Sequence, residues 1–237
     1  MIRLSRTGLA PTRKLLAAQA DLASMDDAEG ALYVNLRPAS EAWKSVRAGL
    51  EKAQFDKCGW CESPFDDVCV EVDHIRPKGA RRYWWLAFEL SNLLAACRSC
   101  NNKKRAKWPL LPGGERLSPR QFPPMLSERP AIVDPTVEDP EPHFDLQNLG
   151  GRWRIVGRSN RGQRTVEVLA LDRDRLSNKL SFHLDAVVRP CIDRAQAALV
   201  SGNRLDWEES VKDLARFCAV ESPYSAMTTL LVKKSFA

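Results

Sequence analysis

The chain has 237 residues, 44% of them hydrophobic, with 36 Lys and Arg against 30 Asp and Glu for a formal charge of +6. That is enough apolar material to bury a core in one domain or two small ones. No apolar run approaches a membrane span, and Met1 to Leu16 scatters Arg and Lys without the apolar block of a secretory signal, so a cytoplasmic protein without a membrane partner is expected.

Residues 1–54 read as N-terminal helices. Pro11 and Thr12 open a stretch whose Leu15, Ala18, Leu22 and Met25 share one face, and Asp26, Asp27 and Gly30 end it. A connector runs through Pro38. Ser40 is the expected N-cap of a second helix, with Trp43, Val46, Leu50 and Ala53 on one face.

Residues 55–108 hold the chemistry. Cys58-Gly59-Trp60-Cys61 and Cys97-Arg98-Ser99-Cys100 are two short chelating knuckles. Four thiolates suit a closed tetrahedral structural zinc site, whereas a redox CxxC follows a strand at a helix start and needs no second pair. The other three cysteines, Cys69, Cys191 and Cys218, are an odd remainder that suits buried free thiols in a reducing compartment.

Between the knuckles, Val68, Val70 and Val72 alternate with Asp67, Cys69 and Glu71, so a half-buried strand ends at Asp73-His74. A carboxylate offers hard oxygen to a divalent cation such as magnesium, and a neutral imidazole accepts a proton near pH 7. Asn92 precedes a returning strand, Leu93-Leu94-Ala95-Ala96. Asn101 follows the last cysteine at a helix start, where its amide oxygen could complete a metal site, with Asn102 as its rival.

Nine Lys or Arg lie between Asp73 and Trp108 against only Asp73 and Glu89. Cations beside a metal site suit a polyanion, and Arg76, Lys78, Arg81, Arg82, Lys103, Lys104 and Arg105 are the candidate phosphate contacts. Trp84 and Trp85 fit a core better than base stacking.

Residues 109–160 form a proline-rich wrap and hairpin. Nine of the fifteen prolines fall between Pro109 and Pro142, which excludes a long helix. Phe144 and Leu146, Gly150-Gly151 and Trp153 to Val156 then signal a hairpin. His143 beside Phe144 reads as a hydrogen-bonded structural residue. Residues 161–237 are a C-terminal helical region: a short helix over Arg164 to Leu169, a long one capped by Asp172 that contains His183 and is kinked or broken by Pro190, and two more after Gly202-Asn203 and Ser222-Pro223.

The Asp-His pair, the middle Asn, and a CxxC followed directly by Asn with Lys three residues on resemble the HNH endonucleases. The resemblance covers about fifty residues. It implies an α+β fold: a ββα-metal core with four-cysteine zinc knuckles, set in a mainly helical protein. It also implies His74 as general base, Asp73 and Asn101 as ligands of a catalytic magnesium or manganese ion, and Asn92 as the residue that braces the hairpin and orients the histidine. Many members carry His where Asn101 stands. The activity implied is metal-assisted phosphodiester hydrolysis of nucleic acid, DNA ahead of RNA.

A narrower resemblance lies outside the core. Val133-Asp134-Pro135, Asp139-Pro140-Glu141-Pro142-His143-Phe144 and the run from Gly162 to Asp172 are similar to bacterial HNH proteins of the Septu type, including those that accompany some retrons. That likeness implies anti-phage defence beside an ABC/SMC-like ATPase partner. A stand-alone repair or toxin-like nuclease, and a catalytically inactive zinc-stabilised nucleic-acid binder, are the alternatives.

Overall fold

A computed structural model describes residues 1–65, 69–79, 82–123 and 125–237. The fold is α+β: two small antiparallel hairpins within a mainly helical body.

The N-terminal layer has four short helices, α1 (Arg13–Ser24), α2 (Asp27–Tyr33), α3 (Arg37–Lys44) and α4 (Arg47–Ala53). Two expectations fail here. Asp26 does not merely end α1; its carboxylate accepts from the backbone of Ala28 and Glu29, and Glu29 answers in a capping box that starts α2 within the expected connector. Ser40 lies inside α3, which begins with proline in its first turn, where a missing N–H costs nothing.

The first hairpin pairs β1 (Val70–His74) with β2 (Leu93–Cys97), joining His74 to Leu93 and Val70 to Cys97. All of β2 is buried, as its unbroken apolar sequence requires. Its outer edge is met by a side chain: Gln54 at the end of α4 donates to Ala95 O at 2.8 Å and accepts from Ala95 N at 2.9 Å. Helix α5 (Arg98–Lys104) follows β2 without a loop, so Cys97, Cys100 and Asn101 sit at one strand-to-helix junction. The strand expectation for Asp67 and Val68 lies outside the described residues.

The proline-rich segment forms no long helix and runs against the core, where Ile132 and Val133 are buried. A second hairpin, β3 (Phe144–Leu149) and β4 (Arg152–Gly157), turns at Gly150-Gly151, both with positive φ. Helix α6 (Asn160–Leu169) crosses it closely: a Cβ on Gly162 would stand 1.9 Å from His143 O.

The C-terminal region continues with α7 (Asp174–Phe182), α8 (Arg189–Ser201), α9 (Arg204–Cys218) and α10 (Ser225–Ser235). Asp172 does not cap α7, whose N-cap position is Arg173, with no side-chain cap. Pro190 does not break the long helix. His183–Val188 widens into a π-helical segment, and the proline then sits in the first turn of α8. A wider turn at that point accommodates a residue that can neither donate nor fit the regular ladder. Buried side chains from every segment join one hydrophobic cluster, including Leu15, Leu94, Ile132 and Leu180. Trp84 and Trp85 lie within it.

Candidate functional site

The two knuckles converge. Cys58, Cys61, Cys97 and Cys100 are buried, with all four Sγ atoms within 4.8 Å of one another, the only such cluster of potential metal ligands among the described residues. Four soft donors around one point fit a tetrahedral ion such as zinc. The Cys97 amide donates to Cys58 Sγ at 3.3 Å, and Ser63 Oγ lies 3.2 Å from Cys61 Sγ. Burial pushes the Cys58 thiol up, while hydrogen bonds from the other thiols, Cys100 first, pull Cys61 well down.

The C-terminal region reaches this cluster from two sides. Arg173 Nη2 stands 3.4 Å from Cys100 Sγ, 3.8 Å from Cys61 and 4.0 Å from Cys97, while Nη1 donates to Ala170 O at 3.0 Å. A divalent ion on four thiolates carries two net negative charges, which a fixed guanidinium offsets in part. On the other side, the Glu62 carboxylate accepts from Ser225 Oγ at 3.0 Å and from Ala226 N at 3.2 Å at the start of α10, and Tyr224 Oη lies 3.2 Å from Ser63 Oγ. Sequence reading found no role for Arg173, because nothing in its local pattern points to sulfur 73 residues away.

The end of β1 borders a different hollow, of about 320 Å³, lined among others by Asp73, His74, Lys78, Asn101 and Arg105. His74 lies 3.0 Å through Nε2 from Ala87 O. A carbonyl can only accept, so Nε2 carries the proton and Nδ1 is left with its lone pair. The Trp43 ring meets the imidazole edge-on, 5.0 Å between centroids. Burial holds the His74 pKa down to about 3, and the charges of Lys78 and Lys104 act in the same direction. The ring is therefore neutral at physiological pH.

Asp73 is buried and receives two side-chain donors: Trp60 Nε1 reaches Oδ2 at 2.8 Å, and Lys104 Nζ reaches Oδ1 at 3.0 Å. Lys104 Nζ also donates to His74 O at 2.5 Å. Burial raises the Asp73 carboxyl above its ordinary value, against the pull of Lys104 and Trp60. The His74 backbone N–H donates to it as well, and a carboxylate with about four lone-pair sites still keeps acceptor capacity. Asn101 donates through Nδ2 to Glu71 Oε2 at 2.7 Å, which leaves its Oδ1 as a hard acceptor beside the same hollow. Asn102 is exposed and lines a separate hollow with Arg98 and Arg173. The donors bordering the His74 hollow are thus a carboxylate and an amide oxygen, a set that fits a hard divalent cation.

Asn92 is fully buried. Its Oδ1 accepts from Arg76 N at 2.8 Å, and its Nδ2 donates to Arg76 O at 3.0 Å and Leu86 O at 3.1 Å. It ties the chain leaving β1 to the chain entering β2. Asn92 makes no hydrogen bond to the imidazole itself, whose partner is Ala87 O.

Residues 58–107 match the family model described as HNH endonuclease. The chain carries an HNH endonuclease domain. Beyond it, the chain is 31% identical over 156 residues to "Septu protein PtuB" of Bacillus mycoides (strain KBAB4), covering 59% of this chain and 51% of that protein. It is 29% identical over 134 residues to "Septu protein PtuB" of Bacillus thuringiensis, 55% of this chain and 43% of that protein. A 28% identical stretch of 131 residues, 51% of this chain, matches 18% of "Septu protein PtuA" of Bacillus mycoides (strain KBAB4). The chain thus spans about half the length of the PtuB relatives it matches.

The HNH domain corrects two of the expected phosphate contacts. Arg76 is internal: its guanidinium donates to Glu128 at 2.6 Å, approaches Asp134 at 3.4 Å and lies over Trp108 at 4.7 Å. Lys104 is fully buried on Asp73. Neither can reach a ligand's phosphate. Lys78 donates to Val34 O at 2.9 Å and covers Trp43, yet still borders the His74 hollow. Arg82 is half-buried, Lys103 and Arg105 are exposed, and Arg81 lies outside the described residues. Lys104 and Glu71 are the internal partners that sequence reading missed. The signal was present, since Asn101 and Lys104 are three apart on one helix and Glu71 and Asp73 two apart on one strand. Of the other histidines, His143 pairs with Ser159 Oγ at 2.7 Å and His183 lies 3.3 Å from Thr228 Oγ1, both away from the hollow. Among the described residues no helix is long and apolar enough to cross a membrane.

Proposed function

We propose that the HNH domain hydrolyses phosphodiester bonds of nucleic acid, DNA first, with magnesium or manganese held by Asp73 and Asn101. The observation that carries the reading is that a neutral imidazole with a free Nδ1 borders the same hollow as those two oxygen donors. His74 Nδ1 takes a proton from a water aligned for attack on phosphorus, and the Ala87 carbonyl holds the ring in the tautomer that allows it. Asn92 keeps the backbone on both sides of the loop in register so that His74 faces the hollow. A divalent cation at the oxygen donors would supply charge stabilisation at the scissile phosphate and the leaving oxygen. In this reading the sulfur site holds zinc and is structural.

The biological setting we infer is anti-phage defence, with this chain as nuclease effector beside an ABC/SMC-like ATPase partner, in the cytoplasm. Support comes from the likeness to proteins named Septu PtuB and PtuA and from seven cysteines that form no disulfide. The test is cleavage of plasmid and short duplexes with magnesium or manganese, wild type beside His74→Ala, and co-purification with the neighbouring gene's product. Equal cleavage by both proteins removes His74 as the base. One observation favours a second reading, a catalytically silent zinc-stabilised binder: Lys104 and Trp60 already engage both oxygens of Asp73. No cleavage by wild type under any divalent cation would select it.

A further inference from the structure

A cationic trough lies beside the His74 hollow in the chain leaving α5. The border of the hollow includes Arg105 and Ala106, and Arg82 Nη1 donates to Ala106 O at 3.0 Å. One residue on, Lys107 joins Arg82, Arg116 and Arg164 around a hollow of about 200 Å³. A neighbouring hollow of about 340 Å³ shares Arg82 and Arg116. Among the described residues no acidic side chain lines either one. The four cations come from four separate stretches: the loop after β1, the chain leaving α5, the proline-rich wrap and α6. Gathering like charges from such distances costs electrostatic energy that an anion recovers.

Their pairing state separates this trough from the other basic hollow, beside the thiolates. Of the four cations lining that hollow, Arg173 is held on sulfur, Arg98 on Glu71 and Lys179 is engaged as well, so Arg175 alone has no such partner among the described residues. In the trough, Arg82, Lys107 and Arg116 have no carboxylate partner among the described residues, and Arg164 has only the exposed Glu167, 2.6 Å away on its own helix.

We propose that Arg82, Lys107, Arg116 and Arg164 form a track for the phosphodiester backbone flanking the cut, so that the bound strand leaves the His74 hollow across Ala106 and runs between the proline-rich wrap and α6. The proposal rests on the nuclease reading and deepens it. It gives the wrap and the start of the C-terminal region a direct part in holding substrate. Contacts of this kind read charge, not base sequence.

The test is anisotropy of fluorescein-labelled DNA duplex and single strand across a salt series, with His74→Ala as parent to prevent cutting. Adding Arg116→Glu with Arg164→Glu should weaken binding about tenfold or more and lower the salt slope by about two, one for each phosphate contact removed. A control carrying Arg175→Glu with Lys212→Glu makes the same change in net charge elsewhere and should bind within about twofold of the parent. Equal weakening in both proteins, or none in the first, overturns the track, as does a parent that binds neither DNA. All four substituted side chains are exposed, and matching melting curves would show that the fold is kept. Track-dependent binding by a wild type that never cleaves would sink the nuclease reading and leave the track standing.

Discussion

Arg173 Nη2 lies 3.4 Å from Cys100 Sγ, which fixes the N-cap of α7 to the strand-to-helix junction of the HNH domain. The guanidinium is an outer partner of the sulfur site, and removing such a partner ordinarily costs a metal site about 10- to 100-fold in affinity. Arg173→Gln should therefore release zinc to a chromogenic chelator faster than wild type by about tenfold or more. Release at the wild-type rate would reduce the contact to packing.

Cys58→Ser should cost more. The four thiols join the loop after α4 to β2 and α5, so an ion held there would couple its binding to folding. Zinc content should fall and the melting temperature with it; full zinc with an unchanged melt would count against a structural site.

For His74 the sign follows from burial. The folded pKa is held down to about 3, while the unfolded imidazole titrates near its ordinary value of about 6.5. Between those values the unfolded chain binds the extra proton, so stability is fully present above about pH 6.5 and is lost as pH falls, by about 1.4 kcal/mol per unit. Urea unfolding at pH 7.5 and 5.5 (about one unit on either side of the ordinary value), wild type against His74→Leu, isolates this group. A wild type that loses no more stability than the variant contradicts it. The rate profile should likewise lack an acidic limb near the ordinary imidazole value, because the base stays neutral below it.

The legible part of this protein was its local chemistry. Two CxxC pairs announced the sulfur cluster, and an alternating run ending in Asp-His announced a strand end. What stayed hidden depends on contacts across long sequence distances. Arg76 and Lys104 read as surface cations because their partners, Glu128 for one and Asp73 for the other, are 52 and 31 residues away. Asp26 looked like a helix terminator because a stop and a capping box use the same residue types. Pro190 reads as a residue that kinks or breaks the helix, whereas the helix widens one turn earlier over His183–Val188, with Leu184 and Val188 buried in the core.

Asn92→Ala removes three buried hydrogen bonds and leaves Arg76 N and Arg76 O without partners, while Leu86 O keeps only Glu89 N at 3.3 Å. Unsatisfied buried backbone groups cost about 1–3 kcal/mol each. Partial relaxation places the total at roughly 2–4 kcal/mol, within the upper range for point substitutions. Denaturant unfolding measures it directly, and a loss below about 1 kcal/mol would mean that water fills the gap.

Lys103 and Lys104 are neighbours with opposite fates, and a paired experiment distinguishes them. Lys104 is fully buried, with its ammonium on Asp73 Oδ1 and His74 O. Lys104→Met keeps the side-chain bulk but strands a buried carboxylate, a change that costs about 3–5 kcal/mol where it has been measured. Lys103 is exposed, so Lys103→Met should alter stability by no more than about 0.5 kcal/mol. Binding of nucleic acid by folded protein should show the reverse order. Loss of Lys103 lowers affinity in a salt-dependent way, and loss of Lys104 does not once unfolded material is excluded. Equal stability of the two variants would place the Lys104 ammonium in solvent and return it to the set of phosphate contacts.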